Sequence, residues 1–245
     1  MGYNSIPPRW EYYSKIGKLI PGTRIIPFKV PLREEICRNL YDSNLSFTVK
    51  DLIEKCKNIS MSMIIDLTQT TRFYNSEDLK QYNVKYVKLS TKGGGCMPSD
   101  YEVKKFCNII NSHLKDNPMD VVGVHCTHGL NRTGYFICRY MIDYLGFMGS
   151  DSVNLFEESR GHKFDRDNYR DSLMEKVPTN ETNKFDESIS SMNHDNRSLS
   201  NHNSRNYSLQ NNDSNHYDSY KSYKASRNKV SHEDRKPYRK HRDNQ

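Results

Sequence analysis

The chain has 245 residues, a formal net charge of +7 and a mean hydropathy of −0.92. It carries no apolar run of membrane-spanning length, and its six cysteines lack the spacing of a disulfide framework, so a membrane-spanning helix and a small secreted scaffold are excluded and a reducing compartment is expected. Apolar residues thin out at Pro178, beyond which Phe185, Ile189, Met192, Leu199, Leu209 and Val230 are too scattered to bury a core; residues 1–177 are expected to fold as one domain and residues 178–245 to form a disordered polar tail.

In chain order, Met1 to Ile6 has no apolar signal region, and Ile6 stands where an N-myristoylation motif needs Ser or Thr. Thr48 opens a helix with Val49, Leu52, Ile53 and Cys56 on one face. Met63 to Leu67 then reads as a buried strand, and Val84, Tyr86, Val87 and Leu89 as another reaching about Ser90. Lys92-Gly93-Gly94-Gly95-Cys96-Met97-Pro98 follows as a glycine-rich loop without a carboxylate. Ser99 and Glu102 make a capping box ahead of a helix on which Val103, Phe106, Cys107, Ile110 and Leu114 recur at helical spacing. Val121 to Val124 reads as a short buried strand, and Thr133 to Leu145 as a helix with an apolar stripe of Tyr135, Ile137, Cys138, Met141, Ile142 and Leu145, stopped by Gly146. Two further helices are expected near 150–159 and 167–176. Strands alternating with helices imply an α/β fold, a mostly parallel central sheet flanked by helices, whose ligands bind beyond the strands' carboxyl ends.

At that end lies His125-Cys126-Thr127-His128-Gly129-Leu130-Asn131-Arg132-Thr133. A cysteine is a nucleophile only as thiolate, which a helix amino terminus and nearby cations favour. Successive backbone N–H groups from Thr127 to Asn131, with the helix dipole behind them, form an anion site of phosphoryl size. Arg132, six residues after Cys126, can curl back to clamp two phosphoryl oxygens with a planar fork that lysine lacks. Thr133 can donate to the sulfur and stabilise it as a leaving group. This is the layout of a cysteine-dependent phosphatase. A buried turn holding an inert cysteine is the bland alternative, and the joint occurrence of Cys126, Gly129, Arg132 and Thr133 weighs against it. His125, Cys126 and His128 raise zinc, but no second Cys or His pair stands at ligand spacing, so neither metal nor cofactor is expected.

Residues 6–176 resemble the RNA 5'-triphosphatase branch of the dual-specificity phosphatase superfamily, which includes the RNA/RNP-complex-interacting phosphatases and the triphosphatase domain of animal mRNA capping enzymes. The resemblance rests on Ile6-Pro7-Pro8-Arg9-Trp10, Pro21-Gly22-Thr23-Arg24, Pro27 to Leu32, Asp66-Leu67-Thr68, Arg72-Phe73-Tyr74, the loop 125–133 running on to Tyr140, and Arg160-Gly161-His162 with Arg166, Asn168 and Tyr169. It implies hydrolysis of the γ and also the β phosphate of 5'-triphosphorylated or diphosphorylated RNA, with ribonucleoprotein or small-RNA processing proteins as partners of a monomer. Arg72, Lys92, Arg160 and Arg166 would extend a basic rim for the inner phosphates; each is equally readable as an ordinary surface charge. A nucleotidyl-transfer motif is missing, since Lys163-Phe164-Asp165-Arg166 has Arg where Gly is required, so capping by this chain alone is excluded.

The second departure concerns the general acid. Protein phosphatases carry an Asp on a loop about thirty residues before the Cys, where this chain has Lys92 to Pro98. A serine or tyrosine leaving group benefits ~10²–10⁴-fold from a proton donor, whereas the oxygen released from a phosphoanhydride is already acidic. Asp100 is the nearest candidate acid, alternatively a first-turn charge complementing the helix dipole. Asp66 reads as structural. Cys96 raises a protective disulfide with Cys126, against the plainer reading of an incidental cysteine. A phosphotyrosine or phosphoserine phosphatase therefore stands as the rival, and a catalytically dead RNA adaptor is argued against by the intact Cys126, Arg132 and Thr133.

In the tail, Lys221 to Arg242 holds nine Lys or Arg against two acidic residues, interleaved with Tyr223 and Tyr238. This mixture suits nucleic acid, and Arg235 to Arg242 equally suits a nuclear import signal; a solvated tail without partner is the bland alternative. The sequon Asn131-Arg132-Thr133 would put a glycan inside the loop, so nucleus, with cytoplasm, is the expected location.

Overall fold

The computed structural model describes residues 5–178; from residue 179 the expected tail lies outside the described residues. The chain begins with a 3-10 turn (Trp10–Tyr12) and a strand, β1 (Ile25–Lys29). A short helix α1 (Glu34–Cys37) and a 3-10 turn (Ser43–Leu45) lead to α2 (Val49–Lys55). Then come β2 (Met61–Asp66), a 3-10 helix (Ser76–Tyr82), β3 (Lys85–Lys88), α3 (Asp100–Asp116), β4 (Val121–Cys126), α4 (Asn131–Asp143), α5 (Gly149–Arg160) and α6 (Asp167–Met174). The four strands form one sheet in the order β1-β4-β2-β3, every pair parallel. The expected α/β architecture is the one observed.

Local chemistry sets the element boundaries. Thr48 and Asp51 form a reciprocal capping box on α2, as Ser99 and Glu102 do on α3. Val103, Phe106, Cys107, Ile110 and Leu114 are the buried stripe of α3. Helix α4 begins at Asn131, two residues before the expected start, because the Leu130 carbonyl already accepts from the Gly134 N–H at 2.5 Å. Strand β4 runs on to Cys126, two residues past the expected end, and all six of its residues are buried.

The sheet is covered on both faces. Ile26, Phe28, Met61 and Ile64 point into one layer with Trp10, Phe47, Leu52 and Phe73. Gly123 faces the same layer, where a Cβ would press on Phe28 and Met61. On the other side α4 packs against α3, α5 and α6. Strand β1 has no counterpart in the expected elements: Pro27 interrupts its periodicity and Lys29 is a buried lysine. Proline is tolerated there because β1 is an edge strand, and the adjoining chain covers that edge through the Gly17 N–H to Pro27 carbonyl bond at 2.8 Å and an antiparallel bridge between Ile16 and Phe28.

Candidate active site

The loop from Cys126 to Asn131 turns from the buried carboxyl end of β4, at the centre of the sheet, into the amino end of α4. Gly129 makes the turn possible. Its φ of +69° is a conformation other residues adopt only with strain, and a Cβ would collide with the Phe28 carbonyl and stand 2.9 Å from the Lys29 nitrogen. The loop's own carbonyls are drawn outward by specific donors: Val30 N–H to Thr127 O at 3.1 Å, Arg160 Nε to Gly129 O at 3.0 Å and Arg160 Nη2 to His128 O at 3.0 Å. Fixing the carbonyls outward leaves the amides to face the anion site.

Cys126 is 4% exposed. Burial alone would raise its pKa, but the Arg132 guanidinium, the Thr133 hydroxyl and the Thr133 and Leu130 amides outweigh it and hold the thiol below its ordinary value. The Thr133 hydroxyl is buried with no nitrogen or oxygen partner among the described residues. Leaving such a donor unsatisfied costs ~1–3 kcal/mol, and the Cys126 sulfur is the group that gains from it. Arg132 is oriented by carbonyls in the segments that follow β2 and β3, Nη1 donating to Leu67 O and Thr91 O, both at 3.0 Å, and Nη2 to Thr127 Oγ1 at 3.3 Å. Its fork is therefore set before any phosphate arrives, and its remaining N–H groups are available for phosphoryl oxygens.

Beneath the loop, His125 is fully buried. Its Nδ1 donates to the Cys126 carbonyl at 3.2 Å and its Nε2 accepts from Tyr74 Oη at 2.9 Å, the tautomer that satisfies both contacts. Burial lowers its pKa, so the ring is neutral. Asp66, at the end of β2, accepts from Thr68, from Tyr86 Oη at 2.9 Å and from Lys88 Nζ at 2.8 Å. Burial opposes its ionisation; the Lys88 ammonium and the hydrogen bonds from Lys88 and Thr68 keep its pKa low. It is structural, as expected.

The amino-terminal segment forms one wall. Pro8 O lies 2.8 Å from His128 Nε2, and the Tyr13 ring packs 4.9 Å from that of His128. Tyr13 Oη donates to Asp165 Oδ2 at 2.6 Å, and Arg9 Nη2 lies 3.5 Å from Asp165 Oδ1. Arg9 is exposed and has a left-handed backbone, φ +61°, a conformation that costs a non-glycine residue ~1 kcal/mol or more. Lys29 is buried behind this wall, its Nζ donating to Trp10 O at 3.1 Å and Tyr13 O at 2.9 Å; burial, with Arg160 nearby, pushes its pKa down to about 8.

Two sequence expectations need correction. Arg160 is not a rim residue: it is 1% exposed, and besides the two loop carbonyls it donates to Ser14 Oγ at 2.6 Å and Ser14 O at 2.8 Å, so it supports the loop from beneath. Asp100 does not point a proton donor at the loop. Its carboxylate pairs with Arg139 Nη1 at 2.8 Å, and Arg139 lies seven residues after Arg132, ~10 Å further along α4. It combines the first-turn charge with a tie between α3 and α4. Arg72 holds the amino-terminal segment through Ser5 O at 2.9 Å and lies over the Phe73 ring. Lys92 is exposed on the glycine-rich loop, and the exposed Arg166 reaches over Gly95, where a Cβ would meet its Nη1 at 2.5 Å. Asn131 Oδ1 accepts from the Asp165 and Arg166 amides, bringing residues 165–166 to the start of α4. Cys96 is exposed and Cys126 buried, and both are free thiols. Arg9, Tyr13 and Asp165 were not singled out from the sequence; membership of Arg9 in the Ile6 to Trp10 block was its only signal. Among the described residues no three His, Cys, Asp or Glu side chains cluster as metal ligands.

Residues 46–179 match the dual specificity phosphatase catalytic domain. The RNA/RNP complex-1-interacting phosphatase of Homo sapiens is 44% identical over 176 residues, 70% of this chain and 52% of that protein, and the Caenorhabditis elegans homolog is 41% identical over 176 residues, 69% and 75% respectively. A tyrosine-protein phosphatase of Autographa californica nuclear polyhedrosis virus is 34% identical over 168 residues, 69% of this chain and 98% of its own length. The chain thus spans about half the length of the mammalian relatives. With a family domain matched over more than half its length, around a cysteine whose pKa is held below its ordinary value at a strand-to-helix anion site, the chain belongs to the dual specificity phosphatases, enzymes of the cysteine-dependent type.

Proposed function

We propose that this phosphatase hydrolyses the γ, and then the β, phosphate at the 5' end of RNA without a metal ion. The Cys126 sulfur attacks the terminal phosphorus in line; an S–P bond forms as the bridging P–O bond breaks, and the shortened RNA leaves as its phosphate anion. Arg132 and the amides of Thr127 to Asn131 stabilise charge on the equatorial oxygens. Water then attacks phosphorus, the S–P bond breaks, and inorganic phosphate and a solvent-borne proton are released while Thr133 donates to the returning thiolate. The exposed Lys92 and Arg166, joined by Arg9, would contact the inner phosphates and the first nucleotide.

The observation that carries the substrate choice is the commitment of Asp100 to Arg139 beside a loop, Lys92 to Pro98, that holds no carboxylate. An anhydride leaving group needs no proton donor, whereas an alkoxide does. The RNA/RNP name of the mammalian relatives supports the same choice and suggests ribonucleoprotein partners. A nuclear location, extending to the cytoplasm, and a monomeric state belong to the proposal. The rival reading, a protein phosphatase acting on phosphotyrosine, phosphoserine or phosphothreonine, has in its favour the name of the viral relative. The two separate in one experiment: RNA labelled at the γ or β phosphate and a phosphopeptide, each assayed with EDTA at matched saturation. RNA turnover well above peptide turnover is expected; peptide turnover that exceeds RNA turnover would transfer the assignment to the rival.

A further inference from the structure

A groove of about 1060 Å³ runs between β3 and α3, outside the site described above. Its charged lining is Lys85, Lys104 and Lys105, with His113 and one acid, Asp116. Val87 and Ile109 supply apolar floor, and Tyr101 stands at one end with 77% of its surface exposed. The fold fixes which end that is. Strand β3 ends, and α3 begins, on the side of the sheet where β4 delivers Cys126, since all strands are parallel and α3 runs back along them. Tyr101 therefore marks the end near the phosphate loop, and Asn117 the far end, ~24 Å away at the helical rise. Lys92 is exposed on the connection between β3 and α3.

Lys104 and Lys105 near the Tyr101 end and Lys85 at the start of β3, toward the far end, with an exposed ring at the entrance and a partly apolar floor, have the makeup of a single-stranded nucleic acid track: cations follow the backbone while a base stacks on the ring. We infer that this groove binds the body of a single-stranded RNA whose 5' end occupies the phosphate loop, with Tyr101 stacking on one of the first bases, Lys104 and Lys105 contacting phosphates near that end and Lys85 one further along. The inference rests on the RNA reading of the site, and it adds a surface remote from the chemistry that sets affinity for long over short substrates. It also gives a second role to the exposed start of α3, whose Asp100 already ties that end to α4.

The test uses the full chain with Cys126→Ser, and a 20-nucleotide 5'-hydroxyl RNA, so that binding is measured without any 5' phosphate. Fluorescence anisotropy is followed across 50–200 mM salt for this protein and for the same protein with Lys85, Lys104 and Lys105 all changed to Gln, or all to Arg. Three lost phosphate contacts lower the magnitude of the salt slope by ~2 and weaken binding roughly 100-fold at 0.1 M salt; the Arg set restores both, and Tyr101→Ala weakens binding roughly 5- to 100-fold. With Cys126 restored, the Gln set is expected to cleave a triphosphorylated dinucleotide like the unsubstituted protein and to show a raised KM for the triphosphorylated 20-mer. Unchanged affinity and slope in the Gln set overturn the groove. Equal loss of affinity for a polyglutamate peptide, or a preference for duplex over single-stranded RNA, overturns the assignment of occupant. If the dinucleotide is not cleaved by any version, the triphosphatase reading falls, while the anisotropy result still decides the groove.

Discussion

Replacing Arg160 by Met separates a framework role from substrate contact. Arg160 is 1% exposed and donates four hydrogen bonds, two to the phosphate-loop carbonyls of His128 and Gly129 and two to Ser14. Methionine fills a similar volume and makes none of them. Two buried carbonyls left without a donor cost ~1–3 kcal/mol each. Part of this is offset, because a cation whose pKa burial pushes down to about 10 no longer has to be desolvated. The net loss is expected to be ~1–4 kcal/mol, a fall in Tm of ~2–16 °C for a domain of this size. The functional consequence follows from geometry. Freed carbonyls let the loop amides rotate away from the anion, and losing one preorganised donor typically costs ~10²–10³ in kcat. That loss should be equal for p-nitrophenyl phosphate and RNA triphosphate, since the loop serves both. A variant with normal p-nitrophenyl phosphate turnover and a raised KM for RNA alone would refute the reasoning and return Arg160 to the substrate-binding rim.

Arg132→Lys is expected to lower kcat at least 100-fold in steady-state assays, because a point charge cannot span two phosphoryl oxygens while bonding Leu67 O and Thr91 O. Asp100→Asn should change RNA triphosphatase kcat less than threefold; a hundredfold loss would match a general acid and revive the protein-phosphatase reading. The Cys126 thiol, held down by Arg132 and Thr133, should be alkylated by iodoacetate with a midpoint below the free-thiol value of ~8.5, and Thr133→Ala should move that midpoint upward. Lys29 binds fewer protons folded, where its pKa is about 8, than unfolded, where it is 10.5, so between those values its contribution makes stability rise with pH. Denaturant titrations at pH 7.5 and 9.5 should show that rise diminished in Lys29→Met.

The parts of this molecule legible in the sequence are those whose physics is local. The nucleophile, the glycine of the turn, the guanidinium and the hydroxyl of residues 126–133 serve one anion and sit at fixed spacing, and helix α3 is announced by its own capping box and by a stripe of five residues that are all buried. Strand β1 was hidden because Pro27 and Lys29 contradict strand and core propensities, and what makes both acceptable is tertiary: an edge position for the proline, and for the lysine the carbonyls of Trp10 and Tyr13. Arg160 was misplaced for a related reason. Arginine belongs at the surface unless partnered, and its partners lie at Ser14 and in the loop, 146 and about 31 positions away. In the wall formed with Arg9, the bond from Tyr13 to Asp165 likewise spans 152 positions, with no periodicity to betray it.

The central claim is a covalent phosphoryl transfer from an RNA 5' end to Cys126, and rapid quenching into denaturant tests it most directly. With γ-labelled triphosphorylated RNA and EDTA, the account predicts a burst of label bound to the protein through Cys126, decaying as free phosphate appears, and no labelled protein with Cys126→Ser. Free phosphate released at full rate by the Cys126→Ser protein, or label from a phosphotyrosine peptide but never from RNA, would contradict it.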